Sequence, residues 1–541
     1  MKTADIKKLI RGEVSDLPET IKKYSRDASI FEIMPSMVAY PEDPEDIVKL
    51  VNFANESKEK LSLTIRAEGT DMSGGAINDS IIIDTKHLNK IVKIENDSAT
   101  VQPGVMYKDF DIETLKQDLF MPIYPASRDL CSIGGMVANN AGGELDLAYG
   151  ELGAYVLELK VILSDGKEYL IKPLNQAELD KKIAQRDFEG NIYKEVYNLI
   201  SKNQALIKNS KPKVSKNSTG YLIWDVRNET TFDLNQVLIG SQGTLGIITE
   251  IKLRLVKPKK EHVLLVINLQ SLEPLNQVIN KVLEFKPEIF ECYDRETLEL
   301  ATRYSSELLR DFKYSNGLMA AIRFIPEKWQ KLTNGFPELV MLANFTGHSK
   351  EEALTLAKNA QKSLKDSQLT STIYADKASA EKFWLIRHKS FGLLRSHAET
   401  GQACPFIDDI IVKPEYLSQF LPKLDQIIKP YKNKMVYTLA GHIGDGNFHI
   451  IPLMNLTDPE IRKIIPELME QVFDLVFKFH GSMSAEHNDG LIRGPFLEKM
   501  YGKEMLQIFK EVKTIFDPKN IFNPHKKTNS SMDYSLSHMI T

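Results

Sequence analysis

Two short stretches near the C-terminal end hold the residues whose types and spacing best suit metal chemistry. They read GHIGDGNFH, which carries His442 and His449, and AEHNDG, which carries Glu486 and the adjacent His487. The glycines between the first two histidines disfavour a helix, so we predict a tight loop that brings both imidazoles together. Two neutral imidazoles and a carboxylate suit a divalent metal and leave positions open for a substrate. Polar loop residues without a metal would give the same pattern, so the motif alone leaves both interpretations open.

Three glycine-rich segments in the first half of the chain suit a different ligand. They read RAEGTDMSGG from residue 66, PASRDLCSIGGMVANNAGG from residue 125 and GSQGTLGIITEIKL from residue 240. A strand that enters a loop of small residues exposes backbone N–H groups that can cradle a phosphate, and Arg66, Thr70 and Ser73 could add donors. Small residues also let the backbone approach a flat ligand. The spacing is not GxGxxG, so a Rossmann fold is not indicated, and a plain turn stays the alternative.

The composition excludes several classes of function. A chain of 541 residues is too long for one ordinary core, and its net charge of -4 provides no basic field for nucleic acid. The N-terminus lacks an apolar signal region, and no stretch approaches the ~18 apolar residues of a membrane span. We therefore expect a cytoplasmic protein, at most peripheral to the inner face of the membrane. Cys131, Cys292 and Cys404 lie too far apart to supply an iron–sulfur cluster.

The order of periodic segments predicts an α+β chain. An amphipathic helix begins at Asp43-Pro44, and Asp165-Gly166 marks a β-hairpin. Farther on, the strands HVLLVINL, MAAIRFI and VMLANFTG alternate with helices, which predicts an antiparallel sheet with helices on one side. The predicted units are a helical lead-in (1–30), a first domain (31–258), a second domain (259–430), a C-terminal segment (431–527) and a loose tail (528–541).

A single arginine in the second domain has a chemical as well as a structural interpretation. Arg387 lies in the predicted helix FWLIRHKSFGLLR. Its guanidinium could bind a substrate carboxylate in a fork geometry, although a surface ion pair is the commoner role of an arginine.

Taken together, the motifs resemble those of the FAD-linked oxidases with the vanillyl-alcohol-oxidase (PCMH-type) fold. The ordered set is RAEGTDMSGG, PASRDLCSIGGMVANNAGG, KNSTGY, GSQGTLGIITEIKL, GHIGDGNFH, AEHNDGLIRGPFLEKMYG and FDPKNIFNP, and it covers roughly residues 24 to 527. The branch that it resembles contains D-lactate, glycolate and D-2-hydroxyglutarate dehydrogenases. The resemblance implies a PCMH-type FAD-binding domain, an antiparallel-sheet substrate (cap) domain and a C-terminal segment that packs back on the FAD-binding domain.

The resemblance also implies which residues hold a noncovalent FAD. The residues expected around the pyrophosphate are Glu68, Gly69, Thr70, Asp71, Ser73 and Gly74. Those expected along the flavin are Pro125, Ser127, Ser132, Gly134, Gly135, Asn140 and Gly142. Gly246 and Ile247 are expected near the adenine, and Asn523 is expected to fold back towards the cofactor. No histidine lies in the pyrophosphate loop, so a covalent histidyl link is not expected.

For the reaction, the resemblance implies a D-2-hydroxy acid oxidised to the 2-oxo acid by hydride transfer to flavin N5. His442, His449 and Glu486 match the ligands of a divalent metal (zinc, manganese or iron), His487 matches the base, and Arg387 matches the residue that orients the substrate carboxylate. The metal would make the substrate hydroxyl more acidic. A noncatalytic FAD-binding subunit of a larger oxidoreductase complex is the alternative function.

Several positions depart from the pattern of the relatives. Ile451 stands where some 2-hydroxyglutarate dehydrogenases have an asparagine, and no lysine precedes Asp409 where those enzymes have one. Asn488 replaces a usual glycine, and Gln242 replaces a usual glutamate.

The motifs are most similar to bacterial relatives with a fused ferredoxin-like domain. Because this chain ends at residue 541, we expect electrons to leave to a quinone or a separate protein other than NAD, such as an iron–sulfur subunit. A homodimer is also compatible with the sequence.

Overall fold

The structure is a computed structural model that describes residues 3–308, 335–365, 369–397 and 401–540. The predicted strand MAAIRFI lies outside the described residues. The helices are α1 Thr3–Leu9, α2 Pro18–Tyr24, α3 Pro44–Glu56, α4 Tyr107–Leu115, α5 Ile133–Asn139, α6 Asp146–Tyr149, α7 Gln176–Ile183, α8 Phe188–Lys202, α9 Gln204–Ser210, α10 Asn235–Leu238, α11 Leu275–Leu283, α12 Arg295–Arg303, α13 Ser305–Leu308, α14 Lys350–Ser363, α15 Lys377–His397, α16 Leu417–Ile428, α17 Pro459–Lys478, α18 Leu497–Tyr501, α19 Lys503–Phe516 and α20 Met532–Ser537.

Within residues 3–308, four short strands form a small mixed sheet. They are β1 Glu13–Ser15, β2 Met37–Tyr40, β3 Leu63–Arg66 and β4 Ile81–Asp84, in the order β1-β2-β4-β3. β2 and β3 run parallel to β4, and α3 makes the crossover that parallel strands require. As predicted, Asp43 caps α3. The lead-in that we predicted to be helical contains α1 and α2 but also β1, which pairs with β2 and places Val14 in the core.

Five further strands of the same range form an antiparallel sheet beside the first. They are β5 Ile91–Glu95, β6 Ser98–Val101, β7 Val156–Ile162, β8 Glu168–Ile171 and β9 Ile247–Arg254, in the order β5-β6-β9-β7-β8. The predicted hairpin is confirmed, since β7 and β8 are joined through Asp165 and Gly166, with Gly166 at a φ of 75°. The two sheets and their helices make the N-terminal unit, residues 3–256, and all three glycine-rich segments lie in it.

Of the described strands, seven form the large antiparallel sheet. They are β10 Glu261–Leu269, β11 Ile289–Asp294, β12 Leu339–Gly347, β13 Thr370–Tyr374, β15 Ile410–Ile411, β16 Leu439–His442 and β17 Asn447–Ile450, in the order β13-β10-β12-β11-β16-β17-β15. A separate pair is formed by β14 Gln402–Ala403 and β18 Leu453–Met454. The antiparallel sheet that the sequence predicts is present, and the chain has the predicted α+β composition.

Helices cover both faces of the large antiparallel sheet, so the prediction of helices on one side is wrong. Val263 and Leu265 of β10 belong to the core that includes α14, whereas Leu264 and Val266 belong to the core that includes α15. Because successive residues of β10 are buried, neither face of the sheet can be left to solvent.

The C-terminal segment divides between the two parts of the molecule. β16 pairs with β11, so residues 439–450 complete the large antiparallel sheet, and Gly444 in their turn lies against Leu147 of the N-terminal unit. Farther on, Phe522 forms a parallel bridge with Leu63 of β3 and thereby returns the chain to the small sheet. The tail is not loose, because Met539 pairs with Phe31 and both are buried. Among the described residues, no helix has the length and apolar character needed to cross a lipid bilayer.

Candidate functional site

A cavity of about 350 Å³ joins the glycine-rich segments to the histidine motifs. One end is lined by backbone and small side chains of the three glycine-rich segments. The other end is lined by Arg387, His442, His449, Glu486 and His487. Residues that are distant in the sequence therefore face one enclosed space of the size that cofactor sites have.

Most of the residues predicted to hold FAD line this cavity, and five do not. The lining includes Glu68, Gly69, Thr70, Asp71, Pro125, Ser127, Ser132, Gly134, Gly135, Gly142 and Gly246. The five that lie behind the cavity wall are Ser73, Gly74, Asn140, Ile247 and Asn523. Ser73 and Asn523 form hydrogen bonds that connect the glycine-rich segments to one another. Gly74 packs against Phe31 and Leu491. Ile247 packs in the core beside the small sheet. Asn140 caps α5 in the left-handed conformation, with φ 52°.

The first glycine loop, residues 67–76, is held by its own polar side chains. The Asp71 carboxylate accepts hydrogen bonds from the Gly75 N–H at 2.6 Å and the Ser73 hydroxyl at 2.9 Å. Arg66 was expected to donate to a ligand, but its guanidinium donates to the carbonyl oxygens of Arg26 and Ala76. A Cβ at Gly69 would lie 2.1 Å from the Arg66 Nη2 atom. Hydrogen bonds therefore hold the side of the loop that faces away from the cavity, and the other side of the loop faces the cavity.

Gln242 connects the first glycine loop to the loop that carries Glu486, which we call the Glu486 loop, residues 482–490. The Gln242 amide donates to the Ser73 hydroxyl at 3.0 Å, and its oxygen accepts from the Gly490 N–H at 2.9 Å. Beneath it, Asn523 donates to the carbonyl oxygens of Gly75 at 2.8 Å and Gln242 at 2.7 Å. An ionised glutamate at position 242 could accept but not donate, so the amide explains this departure from the relatives.

The two histidines of GHIGDGNFH lie on a β-hairpin and not in a loop, contrary to our prediction. Ala440 of β16 is opposite His449 of β17, and His442 is opposite Asn447. Alternation therefore places His442 and His449 on one face of the sheet, with ring centroids 5.2 Å apart. Only the four residues between the strands form the turn. A Cβ at Gly446 would lie 1.9 Å from the Val412 carbonyl oxygen, which explains the glycine.

Glu486 completes a group of three possible metal ligands. Its Oε1 atom lies 3.0 Å from His442 Nε2 and 3.7 Å from His449 Nε2. One ligand atom from each of the three residues lies within 4.8 Å of the others. Two imidazole nitrogens and a carboxylate oxygen at this spacing fit a divalent cation with open positions.

Glu291 of β11 orients both His442 and Arg387, and no sequence motif points to this residue. Its Oε1 atom lies 2.5 Å from His442 Nδ1, and its Oε2 atom accepts from Arg387 Nε at 2.7 Å. Because a carboxylate only accepts, His442 donates from Nδ1 to Glu291, and its Nε2 faces Glu486. Burial would lower the pKa of His442, but the Glu291 carboxylate outweighs burial and raises that pKa to about 9.

Two successive aspartates hold His487 and its loop. Asp408 Oδ2 lies 2.9 Å from His487 Nδ1, and Asp409 Oδ2 accepts from the backbone N–H groups of Glu486 at 2.9 Å and His487 at 2.7 Å. The His487 ring stacks on His449 at 5.2 Å between centroids. Burial would lower the pKa of His487, but Asp409 and Asp408 outweigh burial and raise it to about 9.

A buried lysine from the KNSTGY motif contacts the possible metal ligands. Lys216 Nζ lies 2.9 Å from Glu486 Oε1 and 3.3 Å from Asp146 Oδ2. Burial would raise the pKa of Glu486, but Lys216 holds it well below its ordinary value. We missed this residue in the sequence, although it begins a motif that we had noted, because a lysine in a polar motif is normally exposed.

Arg493 fixes the Glu486 loop from inside the protein. It is fully buried and donates to the carbonyl oxygens of Met483 at 2.9 Å, Asn488 at 2.9 Å and Asp408 at 2.6 Å. The first two carbonyls flank Glu486 and His487 along the chain. One guanidinium therefore closes the loop and ties it to the segment that carries Asp408.

Two family models match the chain. The FAD binding domain matches residues 35–170, and the C-terminal domain of FAD linked oxidases matches residues 258–527. The chain is 25% identical over 525 residues to a D-2-hydroxyglutarate dehydrogenase of Pseudomonas putida, with 95% of this chain and 50% of the relative covered. It is 25% identical to a D-lactate dehydrogenase of Archaeoglobus fulgidus, with 91% and 90% covered. The chain thus spans about half the length of this Pseudomonas putida enzyme and of the D-2-hydroxyglutarate dehydrogenase of Escherichia coli, which it covers to 49%.

Two solved structures of low sequence identity have the same fold as this chain, and with the family models they confirm the predicted PCMH-type fold. A 4-ethylphenol oxidase from Gulosibacter chungangensis superimposes with a TM-score of 0.69 at 14% identity, covering 98% of this chain and 97% of the oxidase. A p-cresol methylhydroxylase superimposes with a TM-score of 0.67 at 13% identity, covering 96% and 94%. At such low identity these likenesses concern the fold alone.

Proposed function

Because the chain belongs to the FAD-linked oxidases, with their FAD-binding domain followed by their C-terminal domain, we propose that it is an FAD-dependent dehydrogenase that oxidises a D-2-hydroxy acid to the 2-oxo acid. One observation carries the proposal. Arg387, the possible metal ligands and His487 converge at one end of the cavity whose other end is lined by the glycine-rich segments. A carboxylate anchor, a cation site and a proton acceptor are what a 2-hydroxy acid requires.

The cavity and its donor set fit both groups that the proposal needs. FAD would lie against the three glycine-rich segments, where exposed backbone N–H groups suit its phosphates. His442, His449 and Glu486 would hold a divalent metal. When bound, the metal supplies positive charge that makes the substrate hydroxyl more acidic, and FAD supplies the two-electron acceptor for the hydride from C2.

The protein residues would orient the substrate and move one proton. Arg387 would pair with the substrate carboxylate, because Glu291 holds the arginine Nε and leaves its terminal nitrogens to face the cavity. His487 would accept the hydroxyl proton on Nε2, since Asp408 lies beside Nδ1 and favours the proton there. A divalent cation near His487 favours its neutral form, which is the form that a base needs.

We propose that the electrons leave to a quinone or a protein acceptor other than NAD. Cys131, Cys292 and Cys404 are all buried and unpaired in the described structure, which gives no support to an iron–sulfur cluster within this chain. Reoxidation of the reduced flavin by a quinone, by a ferredoxin-type protein and by NAD should be compared directly. Faster reoxidation by NAD would contradict this part of the proposal.

The main test is anaerobic reduction of the bound flavin. Purified protein should be yellow, and D-lactate, glycolate or D-2-hydroxyglutarate should bleach it, with loss of the response after chelation of the metal. His487→Gln should keep its flavin but reduce it at least 100-fold more slowly, whereas His348→Gln, at an exposed position, serves as the matched control. A flavin that stays oxidised with every hydroxy acid would refute the proposed function.

A further inference from the structure

We propose that the hydroxy acid carries an apolar side chain, which lies against a wall formed by Ala440, Ile451 and Phe391. This inference rests on the proposed function, since it specifies the substrate class of the same site. All three residues line the cavity together with Arg387 and the histidines. Ala440 lies on β16, Ile451 directly follows β17 and Phe391 lies on α15. Each is two to four residues along the chain from a residue of the proposed chemistry, which is His442, His449 or Arg387.

The hairpin of β16 and β17, together with the residue that follows it, supplies two parts of the wall. Ala440 precedes His442 by two residues on β16 and is directly opposite His449, so it shares their face of the sheet. Ile451 follows His449 by two residues and lines the same cavity. Two residues along a strand correspond to about 6.6 Å. The imidazole nitrogens and the methyl groups are therefore separated by no more than the length of a short side chain.

Helix α15 supplies the third part. Phe391 follows Arg387 by four residues, so both side chains lie on one face of the helix, about 6 Å apart along its axis. The helix packs on the sheet through Phe383 and Ile386, which share a core with Ala440. On this face of the helix, the side chain that follows the proposed carboxylate-binding arginine is therefore aromatic.

The charged neighbours of the wall already have partners. Arg387 Nε pairs with Glu291 at 2.7 Å, and His388 Nε2 lies 2.9 Å from Glu144. Within the part of the chain that the structure describes, a second substrate carboxylate placed against Ala440, Ile451 and Phe391 would lose its hydration without gaining a new counter-charge, which is strongly unfavourable. An alkyl side chain would instead exchange water for apolar contact, with a gain of about fourfold in binding for each buried methylene.

The sharpest test compares two substrates that differ only at the end of a five-carbon chain. D-2-Hydroxypentanoate ends in a methyl group and D-2-hydroxyglutarate in a carboxylate. We expect kcat/KM for anaerobic flavin reduction to be at least 100-fold higher for hydroxypentanoate, and about 16-fold higher for hydroxypentanoate than for D-lactate, which lacks two methylenes. Equal or faster reduction by hydroxyglutarate overturns this inference while the proposed function stands. No reduction by any hydroxy acid overturns both.

A variant with a cation in the wall should reverse the preference. Ile451→Lys should shift the ratio of hydroxyglutarate to hydroxypentanoate by at least tenfold towards the diacid, whereas Leu170→Lys, at an exposed site on β8, should leave the ratio unchanged. Phe391→Lys repeats the test from the helix side if the first variant loses its flavin. An unchanged ratio in a flavin-loaded Ile451→Lys or Phe391→Lys variant would mean that the side chain does not lie against this wall.

Discussion

Replacement of Arg493 by methionine should open the Glu486 loop while the rest of the fold persists. The buried guanidinium satisfies three backbone carbonyls, those of Met483, Asn488 and Asp408. Methionine keeps much of the volume but donates no hydrogen bond. Each buried acceptor without a donor costs about 1–3 kcal/mol, so the three together give about 3 kcal/mol at the lower limit. At 1.4 kcal/mol for each factor of ten, the opened loop becomes on the order of 100-fold more populated.

Hydrogen exchange measures this opening locally, which matters because a chain of several units need not unfold in two states. The reporters are the N–H groups of Glu486 and His487, which both donate to Asp409. Peptides that cover residues 482–490 should exchange about 100-fold faster in Arg493→Met than in the wild type. Peptides from β7 and β9, which have no contact with this arginine, should not change.

Two further variants separate the hydrogen bonds from the charge. Arg493→Lys retains a buried cation but not the fork of donors, so exchange should fall between the wild type and Arg493→Met. Arg186→Met removes an arginine from an exposed position and should leave exchange unchanged. Unaltered exchange of residues 482–490 in a folded Arg493→Met protein would show that the arginine does not hold the loop, and the reasoning from unsatisfied carbonyls would be wrong.

Three other predictions concern the metal ligands, the flavin and pH. Glu291→Gln removes the charge that orients His442, so metal affinity measured by chelator competition should fall about 10–100-fold. Asn523→Ala removes two donors to the glycine-rich segments, so FAD should dissociate about 30-fold more readily, measured by the fluorescence of released flavin. Burial lowers the pKa of Lys526 from 10.5 to about 8. At a pH between these two pKa values, the unfolded chain therefore binds more protons than the folded protein. The stability of the wild type relative to Lys526→Met should therefore rise from pH 8 to pH 10, by at most about 1.4 kcal/mol per pH unit, measured by thermal unfolding.

Exposed residues of the same types provide the controls. Glu229→Gln, Asn198→Ala and Lys181→Met should leave metal affinity, flavin release and the pH dependence as in the wild type. Metal affinity unchanged by Glu291→Gln would remove that carboxylate from an orienting role. FAD release that is unaffected by Asn523→Ala, or a pH dependence shared by the wild type and Lys526→Met, would contradict the other two predictions.

The candidate site could be predicted from the sequence where its residues are close together along the chain. His442 and His449 are separated by a glycine-containing turn, and Glu486 and His487 are adjacent, so the local pattern marked them as candidates. Their proposed roles came from the resemblance to the FAD-linked oxidases. Glu291 could not be found in this way. It precedes His442 by 151 residues, and in the stretch IFECYD it has the appearance of one polar residue in an apolar strand. Only the pairing of β11 with β16 brings it to the histidine.

The helices and strands could largely be predicted from the sequence, but the way in which they pair and pack could not be predicted as well. The alternation of β7 and β9 and the cap of α3 are local signals, and the structure has both. The helices on the second face of the large antiparallel sheet were missed, because HVLLVINL has buried residues at successive positions and does not say what covers them. The strand at residues 13–15 was also missed, since three residues are too few for a period to be recognised.

The origin of the three possible metal ligands has a consequence for the order of folding. His442 and His449 depend on the pairing of β16 with β17, and Glu486 depends on Lys216 and Asp409, which lie 270 and 77 residues away along the chain. Contacts of such long range form late, because loop closure must precede them. A chain in which only the hairpin has formed offers two imidazoles and no carboxylate. The complete ligand set therefore assembles at the end of folding. The fraction of molecules that bind a metal tightly would then equal the fraction of fully folded chains.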